Sequence, residues 1–209
     1  MRKQSSYKKQ TYFDHPVLEF FAKTSVAGIW GIYMVAMGIL LYVGISQGFL
    51  TSLPISIALF VAGVLIWTLF EYALHRYIFH IVTEHPIGKK ILHAAHGFHH
   101  DFPTDKDHLF MPPLLGLTIL AILLGMFYLV MGGWTFAFSS GILMGYLLYS
   151  TMHYNIHRYS SPKNRYLKTM WRHHNLHHYR FPDKAFGVST LLWDHVFGSM
   201  PPKSERKKA

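Results

Sequence analysis

The stretch His96, Gly97, Phe98, His99, His100 returns later in the chain as His174, Asn175, Leu176, His177, His178. Each copy reads H-x-x-H-H. Residues three and four apart on a helix lie one above the other, so the three imidazoles of each copy are expected to point into one small volume. Imidazole binds metal as the neutral ring through one nitrogen, and an all-nitrogen set suits iron, zinc, copper or nickel rather than magnesium or calcium. Two further pairs join them: His75 with His80, and His153 with His157. The ten together exceed what one ion takes, because a zinc holds about four ligands and a catalytic one leaves a place open. Two ions sharing the set is the economical reading.

His75 and His80 are five apart, and at about 100° per residue an uninterrupted helix carries them well off one face. Either the helix bends there or the two serve different ions. Glu71, one turn before His75, is placed to accept that ring's second N–H, the usual outer arrangement for a ligating histidine, or simply to pair with Arg76 at a solvated helix end. Asp194, after Trp193, has a similar choice between orienting a ligating histidine and capping or ion pairing. His15, His85, His108, His173 and His195 read as capping, surface or turn residues rather than ligands, and Pro86 keeps His85 out of a helix. His93, three before His96, is either an outer partner or a solvent-facing neighbour.

The elements that must position these residues are apolar. Val26 to Ile45 is uncharged and long enough at helical rise to cross a hydrocarbon layer of about 30 Å. Leu53 to Phe70 is a second such run, after a polar break at Ser46, Gln47, Gly48, Thr51 and Ser52. Leu114 to Met131 and Trp134 to Met152 repeat the arrangement around Gly132 and Gly133. His75 follows the second run and His153 follows the fourth, so both hairpins deliver histidines to one membrane surface. Bases flank the first hairpin and none lies inside it, which puts the N-terminus and the histidines in the cytoplasm. The expected fold is an all-α integral membrane protein with four transmembrane helices in two hairpins and a cytoplasmic His-rich helical cap holding a di-metal site. Ahead of it, residues 1–25 set Arg2, Lys3, Lys8, Lys9 and Lys23 among Tyr12, Phe13, Leu18, Phe20 and Phe21. This reads as a basic amphipathic lead-in at the membrane surface, with Asp14 as a helix N-cap and Pro16 in the first turn.

Composition excludes several classes. The 209 residues are one domain's worth, 51% hydrophobic yet carrying a net charge of +10 with only 14% charged residues. That balance fits a membrane protein with basic ends rather than a nucleic-acid binder. Cysteine is absent, which removes disulfides, thiolate zinc sites and an intrinsic iron–sulfur cluster. Neither a secretory signal pattern nor a low-complexity tract is present.

The order HRYIFH, HAAHGFHH, HYNIH and HHNLHH on two membrane hairpins resembles the fatty acid hydroxylase superfamily of membrane di-metal oxygenases. It is most similar to the fatty acid 2-hydroxylases that act on sphingolipid acyl chains. FEYALHRYIFH, HGFHHDFPTDKDHLFMPP, HYNIHRYSSP and FGVSTLLWDHVFGS extend the likeness over Phe70 to Gly198. The resemblance implies that His75, His80, His96, His99, His100, His153, His157, His174, His177 and His178 ligate a pair of irons, with zinc as a substitute in purified protein. It implies O2 as co-substrate, one oxygen atom entering an acyl C–H bond at C2 and the other becoming water. It further implies a fatty acid or ceramide substrate among membrane lipids and a dry apolar slot, for which the loop 102–113 and the segment 186–197 are the candidates. Many members fuse a cytochrome b5 domain with an HPGG haem signature, which this sequence lacks. The expectation is a single hydroxylase domain over residues 1–209 and a separate electron donor such as cytochrome b5 or ferredoxin, docked on the basic cytoplasmic face. Tyr149-Ser150 precedes His153 where the 2-hydroxylases often have Tyr-Asp, which removes an outer carboxylate. The membrane implied is the endoplasmic reticulum in a eukaryote and the inner membrane in a bacterium.

Rival readings use the same residues. A sterol or fatty acyl desaturase or a carotenoid hydroxylase has related His boxes, and spacing alone does not separate C2 hydroxylation from removal of two hydrogens. A metal-binding membrane protein without catalysis, such as a transporter, normally carries ionisable residues inside its membrane runs, and the four runs here hold no charged residue. A zinc hydrolase needs an open site and a general base, which the surplus of ligands opposes.

Overall fold

A computed structural model of the protein describes Thr11 and residues 15–206. Of the lead-in, Arg2, Lys3, Lys8, Lys9, Tyr12, Phe13 and Asp14 lie outside the described residues. Helix α1 (Pro16–Ala22) begins at the proline, with His15 at its N-cap. Helices α2 (Val26–Ser46) and α3 (Leu53–Leu74) follow the first two apolar runs, and α3 continues without a break into a π-helical turn, His75–Phe79. Next come α4 (Pro86–Leu92), a second π-helical turn at His93–Gly97, and α5 (Phe98–Asp101). The 3-10 turn Gly132–Trp134 joins α6 (Pro113–Met131) to α7 (Thr135–Arg158). Finally α8 (Arg165–Tyr179), α9 (Leu192–Val196) and α10 (Lys203–Arg206) complete an arrangement with no strand among the described residues.

Among the described residues, three helical stretches are long and apolar enough to cross a membrane: Val26–Ser46, Leu53–Phe79 and Pro113–Arg158. The last is divided at the 3-10 turn, and its halves meet where the Phe127 and Phe138 rings stand 5.1 Å apart. Large apolar side chains such as Leu65, Leu129 and Val130 stay exposed along these helices. Lipid tails rather than water suit such a surface, since every backbone polar group of a helix is satisfied internally.

Helices α3 and α7 form the central pair. A Cβ at Gly63 would collide with the Phe138 carbonyl, and one at Gly141 with the Phe60 carbonyl. Where lipid offers no hydrophobic drive, glycines of this kind let two backbones touch and gain packing. Against α7 lies a stripe of α2, Ile29, Tyr33, Met37 and Leu40, spaced by four and three as one helical face requires. Trp30 adds a hydrogen bond to Thr151 Oγ1 at 2.9 Å. By contrast α6 buries none of its residues and is peripheral.

A second small core, Ile156, Met170, Trp171 and Val188, binds the end of α7 to α8 and to the loop before α9. Helix α8 starts where the Asn164 side chain accepts from the Tyr166 and Leu167 amides at 3.0 and 3.1 Å, satisfying donors that a helix start leaves free. The histidines therefore hang from two kinds of support: long membrane helices below and short, capped helices above.

Candidate metal centre

The ten histidines converge as two groups of five. His75, His80, His96, His100 and His177 form cluster one, and His99, His153, His157, His174 and His178 form cluster two. Within each group the candidate ligand atoms all lie within 4.8 Å of one another. The groups adjoin, with the His100 and His178 rings stacked 4.3 Å apart.

This partition corrects the expectation that each H-x-x-H-H serves one volume. His96 and His100, four apart on the helix, go to cluster one while His99 turns to cluster two. His174 and His178 go to cluster two while His177 turns to cluster one. Adjacent residues on a helix point about 100° apart, so the last two histidines of each motif are bound to diverge. The five-residue spacing of His75 and His80 is resolved by the π-helical turn between them. In a π turn the hydrogen bond spans five residues instead of four, so residues five apart share a face. Both therefore reach cluster one.

The donor set fits metal. Neighbouring Nε2 atoms in cluster one stand 3.0 Å apart for His75 and His96, 2.9 Å for His96 and His100, 3.2 Å for His100 and His177, and 3.1 Å for His177 and His80. Cluster two gives 3.0 Å for His99 and His153, 3.1 Å for His153 and His157, and 2.9 Å for His157 and His174. Ligands at right angles on an ion with bonds of about 2.1 Å are about 3.0 Å apart, against about 3.4 Å at the tetrahedral angle. The spacings match the right-angle sets of a five- or six-coordinate ion better than a tetrahedral one. His178 has neither ring nitrogen hydrogen-bonded among the described residues, although both are buried.

The rings are held neutral. Burial lowers His80 and His100 to about 4, with the His100 charge adding to the effect on His80 and Asp101 opposing it at His100. Burial, then His80 and His100, lowers His177 to about 3. Burial first and neighbouring imidazoles second bring His96, His99, His174 and His178 well below the usual histidine value. Neutral imidazole is the form that ligates.

Two rings of cluster one are aimed by peptide carbonyls. His75 Nδ1 donates to the Phe186 carbonyl at 2.5 Å, and His177 Nδ1 donates to the Lys184 carbonyl at 2.7 Å. A proton fixed on Nδ1 leaves Nε2 bare for metal. Glu71 takes neither role read for it in the sequence: it accepts from the Val188 and Ser189 amides, while Arg76 donates to the Tyr72 hydroxyl and the Phe197 carbonyl. Phe186 also packs on cluster one, its ring 5.4 Å from His80 and 5.4 Å from His177, and Phe79 stacks on His96 at 5.2 Å. Of the two stretches expected to line an apolar slot, the 186–197 segment thus reaches the cluster through Phe186. In the other, Lys106 and Asp107 border a groove of about 430 Å³ with Ser25, Tyr154, Asn155 and Tyr159 that none of the ten histidines lines, whereas Pro103, Thr104, Asp105 and Leu109 border a much smaller cavity that His157 of cluster two also lines.

The remaining histidines divide. His85 and His195 are exposed, as read. His93 is an exposed neighbour of Asp101 at 3.0 Å. His173 and His108 are buried, not on the surface: His173 donates to Asp194 at 2.9 Å, and His108 lies between Glu19 and Asp105 at 2.9 and 3.0 Å. Sequence reasoning missed the carbonyls of Lys184 and Phe186, for which no side-chain signature exists.

Fold and site together define an α-helical integral membrane protein with paired histidine centres. Residues 60–199 match the family model described as fatty acid hydroxylase. The dihydroceramide fatty acyl 2-hydroxylase FAH2 of Arabidopsis thaliana is 36% identical over 201 residues, 95% of this chain and 83% of that protein. The ceramide very long chain fatty acid hydroxylase scs7 of Schizosaccharomyces pombe is 37% identical over 76% of this chain and 48% of its own length. The fatty acid 2-hydroxylase of Mus musculus is 34% identical over 94% of this chain and 58% of its own length. A solved structure described as full length scs7p, with only the hydroxylase domain visible, superposes with a TM-score of 0.80 at 30% identity, covering 88% of this chain and 70% of that one. The chain belongs to the fatty acid hydroxylase family, whose members are oxidoreductases.

Proposed function

We propose that the protein is a di-iron oxygenase that hydroxylates the acyl chain of a membrane lipid, a fatty acid or a ceramide, at C2. The observation that carries this reading is the gathering of ten neutral imidazoles into two five-nitrogen sets at right-angle spacing, in a chain related to 2-hydroxylases. With one iron held by each set, the centre would activate O2 using two electrons from a donor, placing one oxygen atom on the acyl carbon and reducing the other to water. The chain's own residues keep the rings deprotonated, aim His75 and His177 through the carbonyls of Phe186 and Lys184, and set the Phe79 and Phe186 rings as apolar walls beside cluster one. Such walls admit a hydrocarbon chain and exclude water.

In this reading α2, α3, α6 and α7 cross the bilayer as four spans, and the histidine-bearing cap faces the cytoplasm. The exposed bases Arg158, Lys163, Arg165 and Lys168 flank the start of α8, the helix that supplies three of the ligands. An acidic donor such as cytochrome b5 or a ferredoxin would meet complementary charge there. The test is lipid mass spectrometry on cells that make sphingolipid, expressing either the wild type or His177→Ala. Acyl lipid heavier by one oxygen and hydroxylated at C2 is expected with the wild type alone. A new double bond without added oxygen would make the protein a desaturase instead.

A further inference from the structure

We infer that Asp194 is a positioning residue for cluster one: through the backbone of residues 184–187 it fixes the carbonyls that aim His75 and His177, and it does not act on cluster two. This rests on the metal-binding reading above. Two buried carboxylates gather four consecutive amides. Asp194 accepts from the Phe186 and Gly187 N–H groups at 3.0 and 2.8 Å. Glu71 accepts from those of Val188 and Ser189 at 2.6 and 2.8 Å, and from the Ser189 hydroxyl. Asp194 is 0% exposed and also accepts from His173 Nε2 at 2.9 Å and Ser199 Oγ at 2.7 Å. Burial pushes its carboxyl up, but the donors from His173, Ser199 and Gly187 more than offset this and hold it below its usual value.

Anchored in this way, the chain reverses at Ala185, whose φ of 61° is the only positive value among the described non-glycine residues. An alanine keeps that conformation where its surroundings over-determine it. Its own N–H donates to the Ser199 carbonyl at 2.8 Å, and its side chain is buried. The reversal is what lets carbonyls on both sides of Ala185 meet histidines of one cluster. Gly187 is needed beside it, because a Cβ there would collide with the Thr190 carbonyl and come within 2.9 Å of Asp194 Oδ2. Outer carboxylates commonly touch a ligating ring directly. Here one carboxylate acts on two rings through the intervening peptides. In cluster two, by contrast, Nδ1 of His99, His174 and His178 has no hydrogen-bond partner among the described residues.

The test uses the full chain in detergent, loaded anaerobically with ferrous iron, and follows metal content and the rate of iron release to a chelator. Asp194→Asn keeps the size but turns an amide N–H toward one of the donors that Asp194 accepts. Wild type is expected to hold two ions, and Asp194→Asn to release one of them roughly 10- to 100-fold faster while the other leaves at the wild-type rate. In the Asp194→Asn background, adding His153→Ala should leave one fast ion, and adding His75→Ala one slow ion that matches His75→Ala alone. Wild-type rates for both ions of Asp194→Asn, or equal acceleration of both, would overturn the inference. A wild type that binds no iron would instead remove the metal-binding reading beneath it. If Asp194→Asn does not fold, Ser199→Ala decides: it deletes one donor to the carboxylate, and a release rate raised at cluster one alone supports the inference, whereas unchanged or equally raised rates overturn it.

Discussion

In cluster one, two of five rings are tied through Nδ1 to peptide carbonyls of the loop between α8 and α9, whereas in cluster two His153 and His157 stand four apart on the 24-residue helix α7, with Tyr149 stacked on His153 at 5.5 Å. Two ligands of the second cluster, His153 and His157, take their geometry from a long, well-packed helix, and two of the first, His75 and His177, take theirs from hydrogen bonds to a turn. Identical ligand chemistry can thus be oriented by two different means, and the two should fail differently. A packed helix resists local change, because its rings move only when the α3 and α7 pairing moves. A turn held by a few buried hydrogen bonds responds to single atoms.

The strongest test of the partition uses neighbours. His177→Ala and His178→Ala should each cut hydroxylation by more than about a hundredfold, beyond what outer partners contribute, and each should strip one ion from a different cluster. Spectra of the singly loaded variants should differ; identical spectra would mean that the two residues serve one ion. Next in size, Gly187→Ala is expected to quicken iron release from cluster one about tenfold and to leave cluster two unchanged. Equal effects on both ions would erase the contrast between turn and helix.

Acid should affect the metal-free protein through both clusters with the same sign. His80 and His100 sit at about 4 and His177 at about 3 in the folded chain, below the unfolded value of about 6.5. The unfolded chain therefore takes up protons first as pH falls. Stability is full above about pH 6.5 and declines as pH drops toward about 4. Thermal unfolding of the metal-free protein should show a midpoint several degrees lower at pH 5 than at pH 7.5, while the iron-loaded protein changes less. Equal metal-free midpoints would contradict the burial of neutral rings. Smallest of all, His93→Ala should alter stability by no more than about 0.5 kcal/mol and leave both ions in place, as befits an exposed side chain outside both clusters.

Much of this was legible in the sequence, and the limits have physical causes. The four apolar runs and eight of the ten histidines rest on signals that survive without coordinates: uncharged length, and spacing by three or four. Helix ends moved only slightly, α2 extending to Ser46 and α7 to Arg158. The allocation of histidines was not legible, because H-x-x-H-H states which residues share a helix but not how far apart two destinations lie. His75 and His80 left two solutions open, since a π turn has no marker in composition. Glu71 and Asp194 drew attention as carboxylates near ligands, yet their targets are backbone amides, which every residue but proline offers. His173 and His108 looked dispensable because nothing in the sequence tells of carboxylates arriving from distant segments.

The two π turns, His75–Phe79 and His93–Gly97, hold His75 and His96 of cluster one, and the second runs directly into α5 with His99 of cluster two and His100 of cluster one. A π turn is a helix that has taken in one residue more than its hydrogen-bond ladder calls for. Chain length in those segments is therefore part of the site. The loop between α7 and α8 would tolerate small insertions, as connections generally do, whereas one residue removed between His75 and His80 would swing His80 away from its partners while every ligand remained present. A histidine count alone would pass such a chain as intact.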